Sequence, residues 1–131
     1  MDKLWSTLLA KKSMQVFEFL RHQAQPIQLF DSTSAASLHL GDGMGEAHMY
    51  CIYLGPGGEI GAHRAGFGQL FLIVEGSGWV AGEDGRRVPL SAGQGAYFAP
   101  GEMHSKGSDR GATVIMVQVS ELTVKAANVA L

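Results

Sequence analysis

The sequence predicts an all-β protein built as a small antiparallel barrel. Short apolar or alternating runs recur along the chain, and all eighteen glycines lie between Gly41 and Gly111. Short strands at regular spacing, interrupted by Gly and Pro, are typical of a β-sandwich or a small barrel. No alternation of strands with helical patterns is present to indicate a parallel sheet. The candidate strands are residues 46–54, 69–74, 78–81, 87–90, 96–99 and 113–119.

Two glycine-containing segments predict turns. Asp84-Gly85 lies between two alternating runs and predicts a hairpin with a two-residue turn, because this dipeptide accepts positive φ. The glycine-rich run at 41–45 is not followed by a helical pattern, which argues against a phosphate-binding loop. We expect it to form a tight or mobile loop between strands.

The first segment, to about Arg21, is predicted to be partly helical. Leu4 and Leu8 recur at helical spacing and Val16, Phe17 and Leu20 continue the pattern, although residues 17–19 fit a strand equally well. Its apolar face is expected to pack on the barrel or on a second subunit. A length of 131 residues suits one domain. We therefore predict a single domain over 1–131, with a packing or dimer segment at about 1–30 and a barrel at about 36–120.

Composition narrows the classes of partner. Hydrophobic residues make up 46% of the chain and charged residues 17%, with a formal net charge of −2. Basic residues form no run longer than a pair, so neither nucleic acid nor a membrane surface is an expected partner. The single cysteine, Cys51, forms no internal disulfide and is predicted to be a small buried apolar residue. The first ten residues do not resemble a signal peptide, and a cytoplasmic location is expected.

Two spaced motifs carry the chemistry. In the first, Gly57 is followed after five residues by His63, with Gln69 and Gly76 further on; in the second, Gly93 leads to Pro100-Gly101 and then His104. Their spacing resembles both motifs of the cupin superfamily, which read G-x5-H-x-H-x3–4-E-x6-G and G-x5-P-x-G-x2-H-x3-N. The resemblance implies a cupin-type antiparallel barrel, a jelly roll, that brings His63 and His104 into one pocket.

Three motif positions depart from the family pattern. Ala65 stands at the second histidine, Gln69 at the acidic residue and Ser108 at the asparagine. The resemblance implies a divalent transition metal, such as Fe, Ni, Mn or Zn. Of the family's ligand positions, three still carry a side chain that could bind it: His63, Gln69 and His104. This set is neutral and lacks one imidazole, so the site is weakened. The alternative is a metal-free pocket in which the two histidines hydrogen-bond to a ligand.

Strand periodicity selects further pocket candidates, because residues i and i+2 share a face. Gln69, Phe71 and Ile73 are expected to line the barrel, with Met116 as a further wall residue. His48 and Tyr50 also share one face, and either contribute to the pocket or point outward. Tyr97 and Phe98 alternate, so one of them faces the pocket, and Tyr97 is taken as the candidate. We expect His22 and His39 on the surface and Trp79 in the core or an interface.

The predicted function is binding of a small polar or aromatic metabolite in the barrel. His63 and His104 are the candidate catalytic residues, because imidazole transfers protons near neutral pH. The alternative is a metal-dependent dioxygenase, isomerase or lyase that uses His63, Gln69 and His104 as ligands. A homodimer is expected, because exposing the apolar residues from Leu4 to Leu20 on a monomer is unfavourable.

Overall fold

The computed structural model describes residues 14–126 and confirms the all-β prediction. Within the described residues, one 3-10 turn, Arg21–Gln23, accompanies ten strands. The strands are β1 Gln15–Glu18, β2 Gln25–Pro26, β3 Ala36–Ser37, β4 Gly41–Leu54, β5 Glu59–Arg64, β6 Gly68–Ala81, β7 Arg87–Ser91, β8 Gln94–Phe98, β9 Met103–Gly107 and β10 Ala112–Val124. No helix among these residues is long and apolar enough to cross a membrane.

The long strand β6 belongs to two antiparallel sheets. Its first half pairs with β8 and β10 in a sheet ordered β1-β8-β6-β10-β4. Its second half, from Ser77, pairs with β7 and β9, and β9 also pairs with β5. The strand changes sheets at Gly76, which has φ of +81° and lies so close to Gly111 that a Cβ would meet its carbonyl oxygen at 2.3 Å. Only glycine fits this crossing without strain.

Two apolar clusters stabilise the barrel. The interior cluster includes Phe71, Ile73, Phe98 and Val114, each fully buried. A second cluster around Phe17 and residues 70 and 72 lies on the other face of the first sheet. Alternate residues of β6 therefore point to opposite sides, as a period of two requires.

The segment predicted to be partly helical forms a strand where the structure describes it. β1 pairs with β8, and Phe17 is completely buried while its neighbours are partly exposed. A free edge of β8 and a buried site for Phe17 favour extended backbone, so tertiary pairing overrides the weak helical spacing. Leu4 and Leu8 lie outside the described residues.

The two turn predictions have different outcomes. The hairpin at Asp84-Gly85 is confirmed, since β6 pairs with β7, but the connection spans residues 82–86 rather than two residues. Its β-turn is closed by a bond of 3.0 Å from Gly85 N to Gly82 O. The loop predicted at 41–45 is wrong, because these residues begin β4 and pair with the end of β10. A bulge between Val119 and Glu121 accommodates Gly45, which has φ of +91°.

The prediction for Cys51 is also wrong, because this residue is exposed. It lies on the outward face of β4, an edge strand of the first sheet. Met49 and Tyr53 share that face and are 76% and 78% exposed. Alternation was read correctly along the run, but sequence periodicity does not say which of two apolar faces meets the core.

Candidate functional site

The two motif histidines lie next to each other on paired strands of the second sheet. His63 lies on β5 and His104 on β9, and the strand register places them directly opposite one another. Their ring centroids are 4.5 Å apart, although 41 residues separate them in sequence. His104 is fully buried, whereas His63 is exposed and its Nδ1 lies 2.7 Å from Gly61 O. The pair therefore connects the interior of the barrel with its surface.

A buried lysine next to His104 is the most unusual feature of the interior. Lys106 follows His104 by two residues on β9, so both side chains point inward. It is 1% exposed. Its Nζ lies 3.3 Å from His104 Nδ1 and donates a hydrogen bond to Gln69 Oε1 on the opposite sheet. Lysine is almost never fully buried without a partner, so this position needs a specific explanation.

Aromatic rings and a thioether surround the Lys106 ammonium. Its Nζ lies 5.3 Å from the centre of the Phe71 ring and 5.1 Å from that of Phe98. Met116 Sδ is 3.9 Å away. Ring faces attract cations and offset part of the cost of desolvation. Phe71 and Met116, both predicted to line the pocket, thus contact the lysine side chain.

Burial changes the protonation of both interior groups. Loss of solvent lowers the pKa of Lys106 to about 7. Burial, then the charge of Lys106 and then His63, lower the pKa of His104 to about 3. His104 is therefore a neutral imidazole at physiological pH.

Two other pocket candidates lie on the inward face but at its exposed end. On β10, Gln118 pairs with His48 of β4 on one side and with Gln69 of β6 on the other. In the same way, Met116 pairs with Tyr50 of β4 and with Phe71 of β6. The His48 side chain is 46% exposed and its Nε2 lies 2.6 Å from Glu46 Oε2. Its ring stacks on Phe67 with centroids 6.2 Å apart. The side chains of His48 and Tyr50 thus lie at the solvent-exposed end of the inward face of β4.

Tyr97 does not face the pocket. It packs against the second apolar cluster, whereas Phe98 contacts His104 with ring centroids 4.4 Å apart. Pairing of Phe98 with Gln69 in the register determines this choice. Ile73 lies within the interior cluster as expected. His22 and His39 are exposed and Trp79 is buried, as predicted.

The donor set was tested against the metal that the motif resemblance implies. Two of its three members already contact an ammonium, because Gln69 accepts from Lys106 and His104 Nδ1 lies beside it. Ala65 carries no donor, and no carboxylate is present at the motif position. Within residues 14–126, no three His, Cys, Asp or Glu side chains lie close enough to hold one ion. A neutral donor set of which two members already contact the amino group of Lys106 does not fit a divalent metal.

The second motif contains a buried carboxyl group that sequence reasoning did not identify. Glu102 is fully buried, and its Oε1 accepts a hydrogen bond of 3.1 Å from Ala99 N. Its Oε2 has no partner among the described residues. Burial raises the pKa of Glu102 to about 7, opposed by the Ala99 hydrogen bond and assisted by the charge of Glu83. Burial raises the pKa of Tyr97, and the charge of Glu102 raises it further.

Ser108, at the motif's asparagine position, has a structural role. Its Oγ donates to Ser77 O at 2.6 Å and accepts from Gly111 N at 2.7 Å. It therefore holds the loop before β10 against β6 just after the strand changes sheets.

An open groove of about 510 Å³ lies apart from these groups. Trp79, Leu90, Gln94, Asp109 and Arg110 are among the residues that line it. It contains none of the histidines and not Lys106, so we place the functional site in the barrel interior, where the pKa values are perturbed.

The comparisons with known proteins agree with this architecture. A family model described as "Cupin domain" matches residues 50–119, more than half of the chain. The chain therefore belongs to the cupin family, as the spacing of the two motifs indicates. No curated protein matches it.

Several solved structures share the fold. A cupin 2 domain-containing protein from Halorhodospira halophila is 15% identical with a TM-score of 0.58, covering 90% of this chain and 83% of that one. A dTDP sugar isomerase from Desulfovibrio desulfuricans G20 is 18% identical with a TM-score of 0.56, covering 87% and 84%. A conserved protein of unknown function from Streptococcus pyogenes is 18% identical with a TM-score of 0.54, and the match covers 58% of this chain and 66% of that one, just under two thirds of its length. At these identities the likeness concerns the fold alone.

Lys106 and Gln118 are the pocket residues that sequence reasoning missed. Lys106 shares the alternation of His104, so the i, i+2 rule applied to β9 was the available signal. Gln118 follows Met116 by two residues on β10 in the same way. The alternation alone places Lys106 on the inward face with His104. Its charge argues for the solvent-facing side of the strand, because charged side chains are ordinarily exposed, and that expectation is wrong here.

Proposed function

We propose that this cupin binds a small polar or aromatic molecule in its barrel, and that Lys106 rather than a metal ion supplies the positive charge there. The contact of Lys106 Nζ with both Gln69 and His104 carries the proposal. These are the two buried members of the three family ligand positions left in the chain. A lysine that contacts both places an amino group, which is a cation when protonated, at the position where the family's ligand donors converge.

The remaining residues provide the other requirements of a small-molecule site. Phe71, Phe98 and Met116 supply apolar walls, and Gln69 and His104 supply polar groups at the base. Pockets of this kind combine apolar lining with a few convergent polar groups. His63 lies exposed at the mouth beside His104, where an imidazole can exchange protons with solvent or with a bound molecule.

Metal analysis tests the first half of the proposal. Protein purified without added metal, and after dialysis against Mn²⁺, Fe²⁺, Ni²⁺ or Zn²⁺, is analysed by mass spectrometry of the elements. We expect far less than one equivalent of any of them. A stoichiometric metal that disappears in His104→Ala would overturn the proposal and support a metal-dependent dioxygenase, isomerase or lyase, with His63, Gln69 and His104 as ligands.

A search for a co-purifying ligand tests the second half. Small molecules released by denaturing the purified protein are compared by mass spectrometry between wild type, His104→Ala and the groove variant Arg110→Ala. We expect a compound present in wild type and Arg110→Ala and lost in His104→Ala. A compound retained in His104→Ala but lost in Arg110→Ala would move the binding site to the groove and overturn the barrel assignment.

We further propose that the protein is a cytoplasmic homodimer. The apolar outward face of β4 supports pairing, because Met44, Met49 and Tyr53 are more than 70% exposed on an edge strand of 14 residues. Light scattering at micromolar concentration is expected to give twice the mass of the chain. A monodisperse monomer would contradict the dimer, and recovery outside the cytoplasmic fraction would contradict the location.

A further inference from the structure

The barrel interior holds a cation that no described carboxylate neutralises. Lys106 takes part in none of the ion pairs formed within residues 14–126. Its two polar neighbours, Gln69 Oε1 and His104 Nδ1, are neutral acceptors. Buried charges in proteins are normally paired with an opposite charge. An anionic ligand would therefore supply the charge that Lys106 lacks among the described residues.

The lysine also determines the tautomer of His104. A protonated lysine has three donors and no acceptor, so in its ammonium form Lys106 donates to His104 Nδ1. A neutral imidazole then carries its own hydrogen on Nε2. This Nε2 is buried and has no hydrogen-bond partner among the described residues. A buried donor without an acceptor is costly and marks a position for a missing partner.

We propose that the pocket is selective for small carboxylates, whose oxygens accept hydrogen bonds from His104 Nε2 and from the Lys106 ammonium. This inference rests on the proposed function, because it names the ligand class of the same site. A carboxylate offers two acceptor oxygens and one negative charge, which match one free donor and one unneutralised cation. Neutral amides and alcohols supply no charge to meet Lys106.

The walls limit the rest of the ligand to a compact apolar group. The rings of Phe71 and Phe98 have their centres 5.3 Å and 5.1 Å from the lysine Nζ and favour an aromatic or short aliphatic body. His63 is the exposed neighbour of His104, with ring centroids 4.5 Å apart, and its Nδ1 contacts Gly61 O. Rotation of an exposed side chain is fast compared with binding.

Matched neutral and anionic probes test this inference. Benzoate and benzamide have the same shape and differ in charge, so their affinities are compared by calorimetric titration. The His104 ring signals in the NMR spectrum report whether binding occurs in the barrel. We expect benzoate to bind about 10- to 100-fold more tightly than benzamide, the usual effect of one charge-assisted hydrogen bond.

Two lysine variants isolate the charge that matters. Lys106→Met keeps the length and apolar stem of the side chain, and buried charge-to-apolar replacements of similar volume are usually tolerated. It is expected to remove the preference for benzoate over benzamide. Lys125→Met removes the same charge from a side chain that is 50% exposed and is expected to keep the preference.

The outcomes separate this inference from the proposed function. Equal binding of benzoate and benzamide with shifts at His104 would overturn carboxylate selectivity and leave the proposed small-molecule site standing. Absence of benzoate binding at millimolar concentration, or a preference that persists in Lys106→Met, would also overturn the inference. Stoichiometric metal in the wild-type protein would overturn the proposed function itself.

Discussion

Lys106 Nζ lies 3.3 Å from Nδ1 of His104, the residue two positions before it on the same strand. The contact places a cation against the imidazole that the second cupin motif supplies. It also explains why His104 is neutral, since burial and the adjacent charge act in the same direction. The protonation of the motif histidine therefore depends on a residue outside the motif pattern.

The burial of Lys106 predicts a rise in stability with pH. Its pKa is about 7 in the folded protein and 10.5 for an ordinary, solvent-exposed lysine, so the unfolded chain binds more protons between these two pH values. The free energy of unfolding should increase from pH 7 towards pH 10, by roughly 4 kcal/mol at most. Urea unfolding at several pH values measures it. Lys106→Met should lack this increase and Lys125→Met should retain it; an unchanged slope in Lys106→Met would contradict the burial of a titrating amine.

The burial of Glu102 predicts that, in a lower pH range, the free energy of unfolding decreases as pH rises. Its pKa is raised from 4.5 to about 7, so the folded state holds a proton that the unfolded chain releases between these values. The contribution of protonated Glu102 to the free energy of unfolding is fully present below pH 4.5 and is lost as pH rises to 7. Glu102→Gln keeps the neutral form, and its stability relative to wild type should increase by roughly 3 kcal/mol between pH 4.5 and pH 8.

The comparison of Glu102→Gln with wild type is essential because His104 titrates in an overlapping range. The lowered pKa of His104 makes stability rise from about pH 3 to pH 6.5, which masks the fall due to Glu102 in wild-type protein alone. The difference between the unfolding free energies of Glu102→Gln and wild type, taken at each pH, isolates the contribution of the Glu102 carboxyl group. A difference that does not depend on pH would show that Glu102 ionises normally.

Two glycines with similar φ provide a matched test of the sheet crossing. Gly76 and Gly57 have φ of +81° and +76°, but a Cβ at Gly76 meets Gly111 O at 2.3 Å, whereas nothing lies within 4 Å at Gly57. Gly57→Ala should cost about 1–2 kcal/mol, the cost of left-handed backbone. Gly76→Ala should cost at least twice as much, measured by chemical denaturation, and equal losses would show that the crossing tolerates a side chain.

Ser108→Ala tests the bond network at the motif's last position. The variant leaves Ser77 O and Gly111 N without their side-chain partner. The expected loss is about 2 kcal/mol of unfolding free energy, because unsatisfied buried groups are costly. Ser32→Ala, which removes an exposed hydroxyl bonded to Leu29 O, should change stability by less than about 0.5 kcal/mol. Similar losses in both variants would contradict the role of Ser108.

Particular residues show how far sequence reasoning reached. The spacing from Gly57 to Gly76 and from Gly93 to His104 resembles both cupin motifs, and this resemblance predicted the fold that the family model confirms. The same spacing predicted that His63 and His104 meet, which their opposite register explains. The sequence left residues 17–19 open between a helical and a strand pattern, and the strand forms because such a short segment takes its conformation from its partner, β8.

Alternation along the strands, local turns and the two motifs were determined by the sequence itself, since each depends on neighbours within a few positions. The tertiary structure alone decided which alternating face is inward. It placed Cys51 outside, Phe98 rather than Tyr97 against His104, and the Lys106 ammonium inside. The physical reason is that burying a charge depends on acceptors and rings contributed by distant strands, here Gln69 and Phe71 from β6, and no local pattern records them.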